Sequence, residues 1–168
     1  MAAPRTSGVW PPAFVALASA VVLGTALASQ YIGGLRPCEL CFWQRYPYWA
    51  TIALGVIGVA AVRRSAKLAT SLVALAGLVF LVGAGIGFFH VGVEHHWWAG
   101  TSTCGAFDAS DTSLEALRQR LMNTPLVRCD EPAFVLLGIS MAGYNMLVSL
   151  ALAAIAFVGT RRMLADAR

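Results

Sequence analysis

The chain has 168 residues, of which 58% are hydrophobic and only 12% charged. An ordinary soluble domain carries about a quarter of its residues as charges. The length allows one domain. The net charge of +4 is not laid out as a basic stripe interleaved with aromatics, so a nucleic-acid role gets no support.

Apolar runs near or above 18 residues, nearly free of charge, are expected to cross a membrane. The first covers residues 13–32, behind Trp10-Pro11-Pro12. At about 1.5 Å per residue it can span a hydrocarbon core of about 30 Å. Arg5, the apolar stretch and Ala26-Leu27-Ala28 also have the form of a cleaved signal peptide. The run is long for such a segment and continues to Tyr31-Ile32, which favours a retained helix.

Residues 33–45 form a short polar gap holding Cys38-Glu39-Leu40-Cys41, and residues 46–62 make a second span with Pro47 near its start, where a missing N–H costs least. Arg63-Arg64-Ser65-Ala66-Lys67 is a tight basic connection. The third span, residues 68–93, is rich in glycine, which lets transmembrane backbones approach closely and suits a helix in the middle of a bundle.

Residues 94–132 form the one long polar loop, opening Glu94-His95-His96-Trp97-Trp98 and containing Cys104 and Cys129. Between them Thr112-Ser113-Leu114-Glu115 matches a capping box. Leu114, Leu117 and Leu121 then share a helical face, as in a short amphipathic helix resting on the membrane surface. The last span lies within residues 133–159, where Gly138 and Ala142 suggest a small-residue contact surface, and Arg161-Arg162 stop it.

The expected fold is therefore an all-α membrane protein, a single-domain bundle of four transmembrane helices. Arg5, Arg63, Arg64, Lys67, Arg161, Arg162 and Arg168 fall on one side and seven of the eight acids on the other, which puts both termini in the cytoplasm (N-in, C-in). Trp43, Tyr46, Tyr48, Trp49, Trp97 and Trp98 then sit at the outer interface. All four cysteines face the non-cytoplasmic side, where disulfides persist.

Four cysteines permit three connectivities, with one pair per outer loop as the simplest; a Cys38–Cys129 link between loops is equally compatible with the residues. A bridge between Cys104 and Cys129 would be an effective structural staple, because it closes a long loop. The Cys38–Cys41 ring is too small for that. Close thiols at a helix start, with Arg45 one turn beyond Cys41, form the pattern of a redox pair, since the helix N-terminus and the cation favour the reactive thiolate. A Cys₄ zinc site is disfavoured by the wide spacing of the second pair. Phe42 in place of His after Cys41 excludes c-type haem attachment. His90 and Glu94 lie one turn apart, but with few further donors they make a weak metal site. His95 would share the depth of Arg45 if the second and third helices pack together.

The run Cys38-Glu39-Leu40-Cys41-Phe42-Trp43-Gln44-Arg45, then Glu94-His95, Cys104 and Cys129-Asp130, across four expected helices, resembles the DsbB family of bacterial inner-membrane thiol:quinone oxidoreductases. Gln44 stands where some members carry an acid. The resemblance implies catalytic cysteines: a periplasmic DsbA-like dithiol attacks Cys104, the freed Cys129 attacks Cys38, and Cys41 is released as a thiolate toward a quinone. The quinone, ubiquinone or menaquinone from the membrane pool, would be held by Arg45 and His95, with no metal. Two other readings remain: a small membrane subunit with purely structural disulfides, and a DsbB-like oxidase dedicated to one client.

Overall fold

The computed structural model describes residues 8–101, 104, 118 and 127–167. Helix α1 (Trp10–Tyr31) begins with Pro11 and Pro12 in its first turn, where a proline's missing N–H has no intrahelical partner to lose. A five-residue helix α2 (Glu39–Trp43) leads directly into α3 (Tyr46–Ala61), which also carries a proline, Pro47, in its first turn. Helix α4 (Ala66–Glu94) is capped by Ser65, whose hydroxyl accepts from the Leu68 N–H at 3.2 Å. A two-stranded hairpin, β1 (Val135–Leu136) and β2 (Ile139–Ser140), precedes the final helix α5 (Met141–Asp166).

The final segment departs from the expected span over 133–159. Leu137 and Gly138 both take positive φ, at 51° and 79°. That is the geometry of a two-residue hairpin turn, and it pairs Leu136 with Ile139. Gly138 therefore shapes a turn rather than a helix contact, and the helix starts at Met141, where the Ser140 hydroxyl accepts from Gly143 N–H. The expected amphipathic helix around residues 112–121 lies outside the described residues, apart from Arg118.

Helix α1 packs on α3, α3 on α4 and α4 on α5, with α1 also touching α4 and α5. The core runs along the bundle axis through Val15, Leu23, Tyr48, Val73, Phe80 and Leu152. Small residues set the helix spacing. A Cβ on Gly55 would lie 2.7 Å from the Ala16 nitrogen and 2.8 Å from the Pro12 oxygen, so α1 and α3 meet backbone to backbone. The Ser19 and Thr51 hydroxyls bond at 2.7 Å across that contact, satisfying two buried polar groups at once. Leu17, Ile57, Leu78, Val82, Leu150 and Ile155 point outward and exposed, as a bundle facing lipid requires.

By length and composition three helices can cross a membrane, Trp10–Tyr31, Ala66–Glu94 and Met141–Asp166. Helix α3 has only 16 residues, about 24 Å of rise. The aromatic belt also needs one correction. Trp43, Tyr46, Trp49, Trp97 and Trp98 are exposed as expected, but Tyr48 is buried in the core.

Candidate functional site

Cys38 has extended backbone geometry and caps α2: its sulfur accepts from the Cys41 N–H at 3.3 Å. This cap brings the two sulfurs to 2.7 Å from each other as free thiols. The hydrogen bond from Cys38 holds the Cys41 thiol below its ordinary pKa, with Arg45 contributing in the same direction against burial. Cys38 is driven the other way, first by that same hydrogen bond to Cys41 and then by burial. The pair is thus polarised: Cys41 is the better thiolate, and Cys38 keeps the proton.

Cys104 and Cys129 form a disulfide with a Cα–Cα distance of 5.2 Å. They pack with Cys38, Leu40 and Val93 in one small buried cluster, separate from the bundle core. The second loop is tied onto α2 by the Thr101 hydroxyl, which donates to Glu39 Oε2 at 2.7 Å. All four cysteines therefore meet at one end of the bundle. The disulfide also removes Cys104 and Cys129 as metal-binding thiolates. Cys38, Cys41 and His90 place one donor atom each within 4.8 Å of the others, the trio of described residues that could hold a metal ion.

Arg45 begins α3. Its Nη1 donates to Gln30 Oε1 at 2.6 Å, and its guanidinium lies 5.0 Å from the centroid of the Phe42 ring. Gln30 and Phe42 hold the cation against α1 and above Cys41. Beside it a cavity of about 460 Å³ opens between the helices, within the range of small-molecule sites. Its walls are overwhelmingly apolar, and the polar groups on them include Cys41, Gln44, Arg45, Tyr48, His90 and Asn145.

His95 does not line this cavity. It is exposed at the end of α4, where its ring stacks on Trp97 at 5.4 Å. The imidazole at the site is His90, five residues earlier on α4 and buried. Its Nε2 lies 3.6 Å from Cys38 Sγ, its Nδ1 2.6 Å from Gln44 Nε2, and the Cys129 main chain is a further hydrogen-bonding neighbour. Glu94 Oε1 lies 4.0 Å from His90 Nε2, while its Oε2 accepts from the Ser140 hydroxyl at 2.5 Å, joining α4 to α5. The sequence pattern reads His90 with Glu94 as a weak metal site and Tyr48 as an interfacial aromatic, and assigns neither these nor Gln44 and Asn145 to a ligand cavity. The available signal was one imidazole inside an otherwise apolar run.

A helical bundle with membrane-length apolar helices, one disulfide and an adjacent polarised dithiol defines a membrane protein of thiol–disulfide chemistry. Residues 9–159 match the family model described as Disulfide bond formation protein DsbB, and the chain belongs to that family. The family carries disulfide oxidoreductase activity. Disulfide bond formation protein B of Herminiimonas arsenicoxydans is 34% identical over 103 residues, covering 61% of each chain. The uncharacterized protein RP370 of Rickettsia prowazekii (strain Madrid E) is 28% identical over 136 residues, 80% of this chain and 77% of that one. No solved structure matches.

Proposed function

We propose that this protein is a protein-dithiol:quinone oxidoreductase. It reoxidises a periplasmic DsbA-like thiol oxidase and passes two electrons to a membrane quinone. The observation that carries this reading is that Cys41, the better thiolate of its pair, lies with Arg45 on the wall of a large apolar cavity. In this reading all four long helices cross the bacterial inner membrane, α3 included, with both termini cytoplasmic and the cysteines periplasmic.

The cavity suits such an acceptor: its walls are apolar, a cation stands beside the thiolate, and a buried donor on its wall, Asn145 Nδ2, lacks a partner among the described residues. A bound quinone supplies a site for two electrons and two protons. The chain supplies the rest. The partner's thiolate attacks Cys104, forming a mixed disulfide and releasing Cys129. In the oxidised pair, where Cys38 and Cys41 are bridged, Cys129 attacks Cys38, which already shares a buried cluster with it; the Cys38–Cys41 bond breaks and Cys41 leaves as the thiolate its environment favours. The second partner thiol then closes the partner's disulfide and frees Cys104, whose thiolate attacks Cys129, restores the Cys104–Cys129 bridge and leaves Cys38 and Cys41 as the reduced pair that carries the two electrons. Arg45 holds negative charge at the cavity mouth, and His90 stands beside Cys38 where a proton must be exchanged.

The test is quinone reduction by the purified protein supplied with a reduced DsbA-like dithiol, beside Cys41→Ser and Arg45→Ala. Turnover that vanishes in the first variant and weakens in the second is expected. Unchanged turnover in Cys41→Ser would sink the proposal.

A further inference from the structure

Among the described residues, one buried side-chain nitrogen or oxygen has no hydrogen-bond partner: Nδ2 of Asn145. The other half of the same amide is firmly held. The Tyr48 hydroxyl donates to Asn145 Oδ1 at 2.7 Å and lies 2.8 Å from the Ser149 hydroxyl. Tyr48 itself is buried, and in this arrangement it engages the oxygen end of the amide. Asn145 lines the same cavity as Cys41 and Arg45. A buried donor left unpaired is costly and uncommon in native structures. Binding pockets of this apolar kind place a few polar groups at fixed points to orient a ligand.

We infer that Asn145 Nδ2 is a second hydrogen-bond donor to the electron acceptor, engaging the ring carbonyl remote from Cys41, and that Tyr48 positions it. The inference rests on the quinone reading and extends it to the second end of the ring. Arg45 and Asn145 reach the same cavity from different elements, the start of α3 and the first turns of α5. A neutral amide donor engages a carbonyl without needing protonation, and its hydrogen bond strengthens as negative charge grows on that oxygen. A hydrocarbon chain in the cavity would leave Nδ2 as unpaired as before.

The experiment measures binding of decylubiquinone to the purified, oxidised full-length protein by quenching of tryptophan fluorescence, with no turnover required. Asn145→Asp, measured at a pH high enough to ionise the carboxyl, keeps the oxygen that Tyr48 engages and removes the donor, whereas Asn145→Leu removes both. About tenfold weaker binding is expected in each, and a smaller loss in Tyr48→Phe, where the amide is freed to turn. The Tm of Asn145→Leu should hold or rise, because an unpaired buried group has been removed. Exchange of the Cys104–Cys129 disulfide with a reduced dithiol should be unchanged in all three. Wild-type affinity in both Asn145 variants, alongside weakened binding in Arg45→Ala, overturns the role of Asn145 and leaves the quinone reading standing. Wild-type affinity in Asn145→Asp with a Tm loss in Asn145→Leu overturns it as well and makes the residue structural. No quinone binding by the wild type overturns both readings.

Discussion

Gln44 Nε2 lies 2.6 Å from Nδ1 of His90, joining the cysteine loop to the interior of α4 across 46 positions of sequence. Both side chains are buried. With the amide N–H donating to Nδ1, the imidazole presents its Nε2 proton toward Cys38 Sγ at 3.6 Å. The tautomer of His90 is thus set by a residue adjacent to Arg45, and one short contact controls the group beside the redox pair.

Removing that contact leaves a buried imidazole nitrogen unpaired. Gln44→Ala should destabilise the protein by about 1–3 kcal/mol. Gln44→Ala combined with His90→Ala should cost less than the sum of the two single changes, because the partners are coupled. Unfolding in detergent monitored by circular dichroism measures all three. Strict additivity would show that the contact is energetically idle.

The polarised pair predicts an order of reactivity. The pKa of Cys41 is lowered first by the Cys38 hydrogen bond, and that of Cys38 is raised first by the same bond. In reduced protein, iodoacetamide should therefore label Cys41 ahead of Cys38, and Cys41 should stay reactive at pH values well below 9. The sign follows from the thiolate fraction, which persists as pH falls until the lowered pKa is passed. Arg45→Ala removes one favourable charge and should shift the labelling profile of Cys41 to higher pH. Mass spectrometry of the labelled peptides decides it. Equal labelling of both cysteines, or faster labelling of Cys38, would remove the proposed leaving-group asymmetry.

The Cys104–Cys129 bridge has a sequence separation of 25. In the chain-entropy account, losing the bridge across a loop of that size costs about 3.5 kcal/mol. Replacing both residues by serine should lower stability by about that amount and leave the helix content unchanged, because neither residue belongs to the bundle core. Loss of the helical far-ultraviolet signal would mean instead that the bridge is required for the bundle to form.

Packing makes a sharper contrast between two glycines. Gly55 has no room for a Cβ against Ala16 and Pro12, while Gly85 has nothing within 4 Å of that position. Gly55→Ala should therefore cost about 1–3 kcal/mol through forced separation of α1 and α3. Gly85→Ala should be neutral, or stabilising by up to about 1 kcal/mol from helix propensity. Thermal unfolding of the two variants side by side tests this. Similar Tm changes would show that the α1–α3 contact yields.

These contrasts mark where the sequence was legible. Long apolar runs bounded by charge place α1, α3 and α4 to within a few residues, because excluding charge from such a run is a one-dimensional constraint. The nearness of Arg45 to Cys41 is legible in the sequence, since one helical turn fixes that relation locally. The start of α5 was not legible: an apolar hairpin, Val135 to Ser140, has the composition of the helix that follows it. Only the positive φ of Leu137 and Gly138 separates the two, and composition does not report dihedrals. The sequence points to His95 and not His90 for the same kind of reason. Depth equal to that of Arg45 is a property along the helix axis, whereas the direction each side chain takes around α4 depends on how α4 rotates against α3 and α5. Tyr48 follows suit, its hydroxyl having exchanged the membrane interface for Asn145 and Ser149.

That rotation supplies the last prediction. His95→Ala removes an exposed ring that stacks on Trp97 outside the cavity, so quinone-reduction kinetics should stay within about twofold, the scale of an exposed substitution. Arg45→Ala removes the guanidinium beside Cys41 and empties the Gln30 contact, and kcat/KM for quinone should fall about tenfold or more. Arg45→Lys should recover only part of the loss. A lysine restores the charge but cannot reproduce the planar fork that bonds Gln30 while lying against the Phe42 ring. Steady-state rates over a range of quinone concentrations separate the cases. A large loss in His95→Ala with none in Arg45→Ala would mean that the acceptor enters along the exposed end of α4 and not through the cavity beside Cys41.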